Sequence, residues 1–158
     1  MKKLFIVLTV VGALCLTGCG ADEKKANGSN EKVMTCKRTA NQTGVSMDLS
    51  YNVSYKNNVV TKVESIEKIT SENDDVLETY KDQIEKTYAP YKNIEYYDYN
   101  VTIDGNTLTS KADIDYSKID TDKMIEIDSA NGQIIKNGKI NIDTLKSLYE
   151  SIGATCEK

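Results

Sequence analysis

Residues 45–70, VSMDLSYNVSYKNNVVTKVESIEKIT, decide the fold that the sequence predicts. Apolar and polar side chains alternate from Val45 to Tyr55, and β-branched residues continue the pattern from residue 59 to residue 70. A period of two predicts strands that bury one face and expose the other. Residues 56–58, Lys-Asn-Asn, tolerate turn conformations, so the two strands are expected to form an antiparallel hairpin.

The segments around this hairpin supply three more predicted strands. Residues 33–40, VMTCKRTA, have the β-branched residues and the alternation that are typical of a strand. Residues 94–104 and 106–116 flank the sequence Asp104-Gly105-Asn106, which favours a tight hairpin turn. These segments predict a sheet of about five strands.

Two segments have a helical period instead. In residues 71–91 the apolar side chains fall on one helical stripe, which is Val76, Leu77, Tyr80, Ile84 and Tyr88. The N-cap of this helix is expected at Ser71, Asn73 or Asp74, and its end at Pro90. A final helix is expected to follow Asp143 as its cap and to end at Gly153, with a stripe of Leu145, Leu148, Tyr149 and Ile152.

The connection between these helical and strand segments is less regular. Residues 124–129, MIEIDS, and 133–142, QIIKNGKINI, fit either short strands or ordered loop. The fold predicted from the whole pattern is α+β: one domain over residues 33–158, with a twisted, mainly antiparallel sheet and two helices packed on one face.

The N-terminus has the pattern of an exported protein. Met1-Lys2-Lys3 precedes an apolar run over residues 4–14, and the sequence Leu-Thr-Gly-Cys at 16–19 resembles the bacterial lipobox. We therefore predict a signal peptide over residues 1–18, acylation of Cys19, and a flexible polar tether over residues 19–32. Two acyl chains give stable anchoring, so the expected location is the extracytoplasmic side of the cell membrane.

Cysteine positions predict one disulfide. Of the four cysteines, Cys15 lies in the predicted signal peptide and Cys19 at the lipidation site, which leaves Cys36 and Cys156 for the folded domain. In an exported protein such a pair favours a disulfide over two free thiols. A redox or nucleophilic role is disfavoured because the pair has no CxxC spacing and the chain has no His.

Three stretches carry a resemblance to a known family. Residues 49–70 contain the hairpin, residues 74–92 the helix, and residues 113–120, DIDYSKID, an acidic run with a Tyr and a Lys. Together with the lipobox they resemble the YehR-like bacterial lipoproteins, and the similarity spans residues 33–152. The resemblance implies an exported, membrane-anchored domain of this fold; it brings no catalytic, binding or cofactor residue.

Composition excludes several functions. The chain has no His or Trp, a single Arg, and 24 acidic against 20 basic residues. A nucleic-acid-binding face needs excess positive charge, and a Ser-His-Asp or common zinc site needs His. The acidic run fails as an EF-hand because Lys118 stands where Gly is needed and Met124 where Glu is needed. We therefore predict a protein that is not an enzyme and has no cofactor, metal or nucleic-acid partner.

Ten tyrosines are the remaining unusual feature. Tyr96, Tyr97 and Tyr99 lie in one predicted strand and suit a binding patch, because tyrosines offer rigid contact area; packing in the core is the alternative. The sequence thus predicts a noncatalytic cell-envelope lipoprotein that binds a protein, peptide or wall ligand. The alternative is a lipoprotein that binds a small ligand for a transporter.

Overall fold

The computed structural model describes residues 31–158. The predicted signal peptide, the acylated Cys19 and nearly all of the tether lie outside the described residues. Within residues 31–158, none of the helices combines the length and apolar character needed to cross a membrane.

One antiparallel sheet forms the centre of the domain. Its strands are β1 (Lys32–Gln42), β2 (Val45–Lys56), β3 (Val59–Thr70), β4 (Tyr97–Asp104), β5 (Thr107–Asp115) and a short C-terminal strand, Thr155–Glu157, and they lie in the order β4-β5-β3-β2-β1-C-terminal strand. The predicted α+β fold is confirmed. The sheet has six strands rather than about five, because three residues are too few to show a period in the sequence.

The two predicted helices are present, and α1 has one of its three predicted caps. Helix α1 (Asp74–Tyr88) begins after Asn73, whose side chain accepts a hydrogen bond from the Asp75 N–H at 3.0 Å. A short 3-10 helix, Ala89–Tyr91, contains Pro90 and follows it.

Residues 117–142 form more helix than the sequence predicts. Residues 124–127 lie in α2 (Thr121–Ile127), which begins after Asp120, so most of the 124–129 segment is helix rather than strand or loop. Seven residues cover about two turns, too few for the helical period to show. Next come α3 (Asn131–Ile134) and the two-residue strands β6 (Ile135–Lys136) and β7 (Lys139–Ile140), which pair with each other.

The C-terminal helix, α4 (Ile142–Ser151), is capped two residues earlier than predicted. Its N-cap is Asn141, whose side chain accepts from the Asp143 N–H at 2.8 Å, so Asp143 lies in the first turn. Gly153 follows the helix with φ of +89°, a conformation that favours glycine, as predicted. The C-terminal strand named above, β8, completes the chain.

Both long helices cover the same face of the sheet and bury two hydrophobic clusters. The larger cluster packs α4 and the 117–142 region against the sheet and includes Met34, Val53, Val63, Ile142 and Leu145. The smaller one packs α1 against the other end of the sheet and is built on Ile69, Leu77 and Leu108. The opposite face of the sheet carries mostly polar side chains, so this antiparallel sheet is buried on one side only.

Candidate functional site

A polar row crosses the buried face of the sheet between the two clusters. The strand register places Arg38 of β1 opposite Leu49 of β2, Leu49 opposite Glu67 of β3, and Glu67 opposite Ser110 of β5. The flanking residues at the same phase are Cys36, Ala40 and Ile69, which are all buried. The fold therefore turns one basic and one acidic side chain toward its interior.

A cavity lies directly over this row, beneath helix α1. Its volume is about 210 Å³, and its sheet side is formed by Arg38, Met47, Leu49 and Glu67. The helix side is formed by Tyr80, Gln83, Ile84, Thr87 and Tyr88. A mainly apolar cavity with a few converging polar groups is the usual form of a small-ligand site.

Glu67 is the electrostatically perturbed carboxyl of this cavity. Burial raises its pKa above the ordinary value, and the nearby Arg38 guanidinium opposes that change. Burial also raises the pKa of Tyr51 to about 12, with a further contribution from Glu67. A carboxyl that is partly desolvated and faces a cavity with one charged neighbour marks a candidate binding site.

The two ends of the cavity are held by neighbouring elements. The Ser65 and Ser110 hydroxyls hydrogen-bond the Tyr88 hydroxyl, which ties the end of α1 to the sheet. On the other side, Arg38 Nε lies 3.8 Å from the position that a Cβ would take on Gly153, at the end of α4. Arg38 thus lies between the cavity and the carbonyl end of α4.

The predicted cysteine pair forms a disulfide in the structure. Cys36 and Cys156 are directly opposite each other in the pairing of β1 with β8, and their sulfur atoms are 2.01 Å apart. Cys36 is fully buried and lies two residues before Arg38, on the same face of β1. The disulfide therefore fixes the strand that carries Arg38.

The three tyrosines of the predicted patch do not lie on one exposed surface. Strand β4 begins at Tyr97, so Tyr97 and Tyr99 share its buried face: Tyr97 stacks on Tyr91 at 4.9 Å between ring centroids, and Tyr99 on Tyr88 at 5.3 Å. Tyr96 precedes the strand with φ of +68° and is 41% exposed. Two of the three rings thus hold the end of α1 and the following 3-10 helix against β4, and of the three Tyr96 alone remains available to a partner.

Most of the other tyrosines have packing roles as well. The Tyr149 ring of α4 stacks on Tyr51 of β2 at 4.2 Å, and Tyr55 and Tyr116 belong to or pack against the larger cluster. Since the chain has no Trp and one Phe, tyrosine supplies its aromatic packing. The high tyrosine content is mainly a property of the core.

The acidic run is distributed over separate structural contacts. Asp113 contacts Lys62 at 2.8 Å and Asp115 contacts Lys118 at 2.9 Å, while the Asp120 side chain caps α2. Asp122 lies in the first turn of that helix. Within residues 31–158, His, Cys, Asp and Glu do not form a group of three suited to a metal ion.

The sequence pattern alone does not mark Arg38 and Glu67 as site residues. The alternation in β1 does place Arg38 at the phase of Cys36 and Ala40, which is a usable signal. In β3, however, Ile66 is apolar and Glu67 charged, the reverse of their observed orientations. Glu67 points inward because of the register of β3 with β2 and β5. This register cannot be read from the sequence of β3 alone.

Two solved structures have this fold. The solution structure of a protein from Streptococcus pneumoniae TIGR4 superposes with a TM-score of 0.52 at 15% identity and covers 94% of this chain and 98% of that chain. The NMR structure of the Escherichia coli YehR protein gives a TM-score of 0.52 at 22% identity and covers 82% of this chain and 94% of that one. The chain has the YehR fold. The resemblance predicted from the sequence is confirmed for the architecture, and at these identities it establishes the fold alone.

Sequence comparison adds no further assignment. No protein-family model matches the chain, and no curated protein matches it. The function is therefore argued from the cavity.

Proposed function

We propose that this YehR-like domain is a noncatalytic, lipid-anchored binding protein on the outer side of the cell membrane, and that the cavity under α1 holds a small zwitterionic group. The observation that carries the proposal is the pair of opposite charges, Arg38 and Glu67, on the sheet floor of that cavity. Desolvation of the Glu67 carboxylate costs stability, so its place on the cavity floor favours a role other than packing.

The spacing of the two charges suggests the kind of ligand. Arg38 and Glu67 lie on β1 and β3, with β2 between them, so their backbones are roughly 10 Å apart. Arg recognises carboxylates by paired hydrogen bonds, and a carboxylate accepts them from an ammonium group. A molecule with a carboxylate at one end and an ammonium at the other has the charges to contact both side chains.

The cavity volume limits the size of the bound group. The volume of about 210 Å³ lies below the roughly 300–1,000 Å³ of typical drug-sized ligand pockets, so the bound group must be small. A free amino acid or the charged end of a peptide or wall polymer has suitable dimensions. The same chemistry thus serves a transporter-associated receptor for a free molecule and an envelope protein that holds a polymer end.

The side chains around the cavity favour binding over catalysis. Glu67 is the one carboxyl among the described lining residues, so a second carboxyl for acid and base catalysis is not in place there. The hydroxyl of Thr87, which also lines the cavity, already donates a hydrogen bond to the Gln83 carbonyl of its own helix at 2.9 Å. The site offers recognition of charge and shape.

Isothermal titration calorimetry on the purified full-length protein tests the cavity. The probes are linear amino acids from glycine through γ-aminobutyrate to ε-aminocaproate, together with alanyl-alanine. Binding is expected to peak at one separation of the charges and to weaken at least tenfold in Glu67→Gln, since a hydrogen bond to a charged group is worth about 1.5–3 kcal/mol. A preference for alanyl-alanine indicates a polymer end rather than a free amino acid.

A matched pair of variants separates the cavity from surface charge. Arg38→Gln should weaken binding as Glu67→Gln does, whereas Lys37→Gln, one residue earlier on the exposed side of β1, should leave it unchanged. Equal binding by the wild type and Glu67→Gln, or no binding by any probe, contradicts the proposed site.

The anchor is tested independently. Cys19→Ala should move the protein from the membrane fraction to the medium or leave it unprocessed. An unchanged membrane fraction argues against lipidation and leaves the cavity proposal untouched.

A further inference from the structure

Strand β4 forms one end of the sheet. The order of strands places β5 on one side of β4, and among residues 31–158 no strand pairs with its other side. β4 is eight residues long and contains neither Pro nor Lys, the residues that commonly protect such edges. Its pairing with β5 runs without a bulge from Tyr97 to Asp104.

The hydrogen-bond pattern shows which backbone groups face outward. The Asp115 N–H donates to the Tyr96 carbonyl at 3.1 Å, which makes this a hydrogen-bonded pair. Such pairs alternate along an antiparallel ladder, so the residues in phase with Tyr96 face β5. Tyr99, Val101 and Ile103 therefore direct their N–H and carbonyl groups away from the sheet.

The side chains of this edge are acidic on the open face of the sheet. Asp98 and Asp104 are the charged residues of β4, and both are exposed. Asp98 lies opposite Asp113, and like charges in that position repel each other. Lys62 of β3 contacts Asp113 at 2.8 Å, and Lys111 of β5 lies opposite Asn100. These two basic residues lie on the β5 side of β4, away from its open edge.

Charge distinguishes the possible occupants. A second copy of the chain paired about Val101 brings Asp98 opposite Asp104 of that copy, which is unfavourable. An added strand with Lys or Arg at alternate positions supplies the missing complement. The exposed Tyr96 ring adjoins the start of β4, and Lys118 Nζ lies 5.3 Å from its centroid, so an aromatic contact is available there.

We propose that β4 is a docking strand for an extended, basic segment of a partner protein, which adds to the sheet by backbone hydrogen bonds to Tyr99, Val101 and Ile103. Backbone pairing supplies affinity in this mode, and alternate side chains supply specificity. The site is separate from the cavity, on the open face and edge rather than beneath α1.

Amide hydrogen exchange on the full-length, nitrogen-15-labelled protein tests this proposal with a synthetic peptide as the probe. The peptide is Thr-Lys-Val-Lys-Val-Lys-Val-Thr, and its controls carry Glu in place of Lys or N-methyl groups on alternate residues. We expect Tyr99, Val101 and Ile103 to exchange at least tenfold more slowly with the basic peptide and at unchanged rates with either control.

A pair of variants checks the role of charge. Asp98→Lys combined with Asp104→Lys should abolish the protection, whereas Asp48→Lys, on the same sheet face but on β2, should retain it. Asp98→Lys removes a like-charge contact, so the fold is expected to remain intact.

Several results overturn the proposal. The Glu peptide protects the three amides as strongly as the basic peptide, or the basic peptide protects the part of β1 that β8 does not pair with, instead of β4. Slow exchange of the three amides without any peptide also overturns it. Protection that rises with protein concentration alone shows a second copy as the occupant and also contradicts it.

Discussion

Glu67 and Arg38 are the residues whose positions most clearly depart from ordinary packing. Each lies at a strand phase that buries its neighbours, and each lines the cavity under α1. A structural role predicts that removing the charge destabilises the domain. A binding role predicts the reverse, because functional sites commonly cost stability.

Glu67→Gln distinguishes these roles through the dependence of stability on pH. Burial raises the pKa of the Glu67 carboxyl above 4.5, so the folded state holds the proton more tightly than the unfolded chain. The stabilisation that results from this tighter proton binding is complete below the ordinary pKa of Glu67. It is lost as the pH rises through the raised pKa. The wild type should therefore lose stability relative to Glu67→Gln as the pH rises above 4.5, as measured by urea unfolding.

Glu85→Gln, on the exposed side of α1, is the control and should parallel the wild type at every pH. Parallel curves for Glu67→Gln as well would show that Glu67 does not carry a desolvation cost.

Secondary elements were predictable where a period or a turn was long enough to read. The 45–55 alternation, the Asp104–Thr107 turn and the α1 stripe are all confirmed. Helix α2 and strand β8 are too short to carry a period, and the cap of α4 depends on which of Asn141 and Asp143 reaches the free N–H groups. The sheet side of the cavity depends on the register of β1, β2 and β3 relative to one another. The sequence of any one of these strands does not reveal that register.

Helix α4 packs on the sheet through the larger cluster, and its aromatic stack there is that of Tyr149 on Tyr51. Tyr149→Ala should lower the free energy of unfolding by about 3 kcal/mol, since a large buried ring is lost, while Tyr149→Phe keeps the ring and should cost much less. Urea unfolding followed by circular dichroism measures both.

Leu148→Ala, the neighbouring residue in α4 with 38% exposure, is the matched control. A surface substitution of this kind should cost less than about 1 kcal/mol. A Tyr149→Ala effect no larger than that of Leu148→Ala would mean that another contact holds α4.

At the scale of the whole molecule, the disulfide joins the first strand of the sheet to the last. Cys36 and Cys156 are separated by 120 residues, for which the chain-entropy model gives about 5 kcal/mol of stabilisation. The sequence allowed this pairing to be predicted by elimination, because two cysteines remained for the domain. Its position beside Arg38 became evident only from the strand pairing.

The double variant Cys36→Ala/Cys156→Ala should lose roughly 3–5 kcal/mol in urea unfolding. Reducing agent should lower the stability of the wild type toward that of the variant and leave the variant unchanged. A variant as stable as the oxidised wild type would show that the disulfide does not restrain the unfolded chain appreciably.

Methyl NMR can show whether the cavity under α1 binds a zwitterionic group, as proposed above. Full-length protein with labelled Ile, Leu and Met methyl groups is titrated with the same amino acids and alanyl-alanine. We expect saturable shifts at Met47, Leu49 and Ile84, which line the cavity, and none at Ile119 or Ile140 in the larger cluster. Shifts confined to the larger cluster, or no saturable shift with any probe, would contradict the proposal.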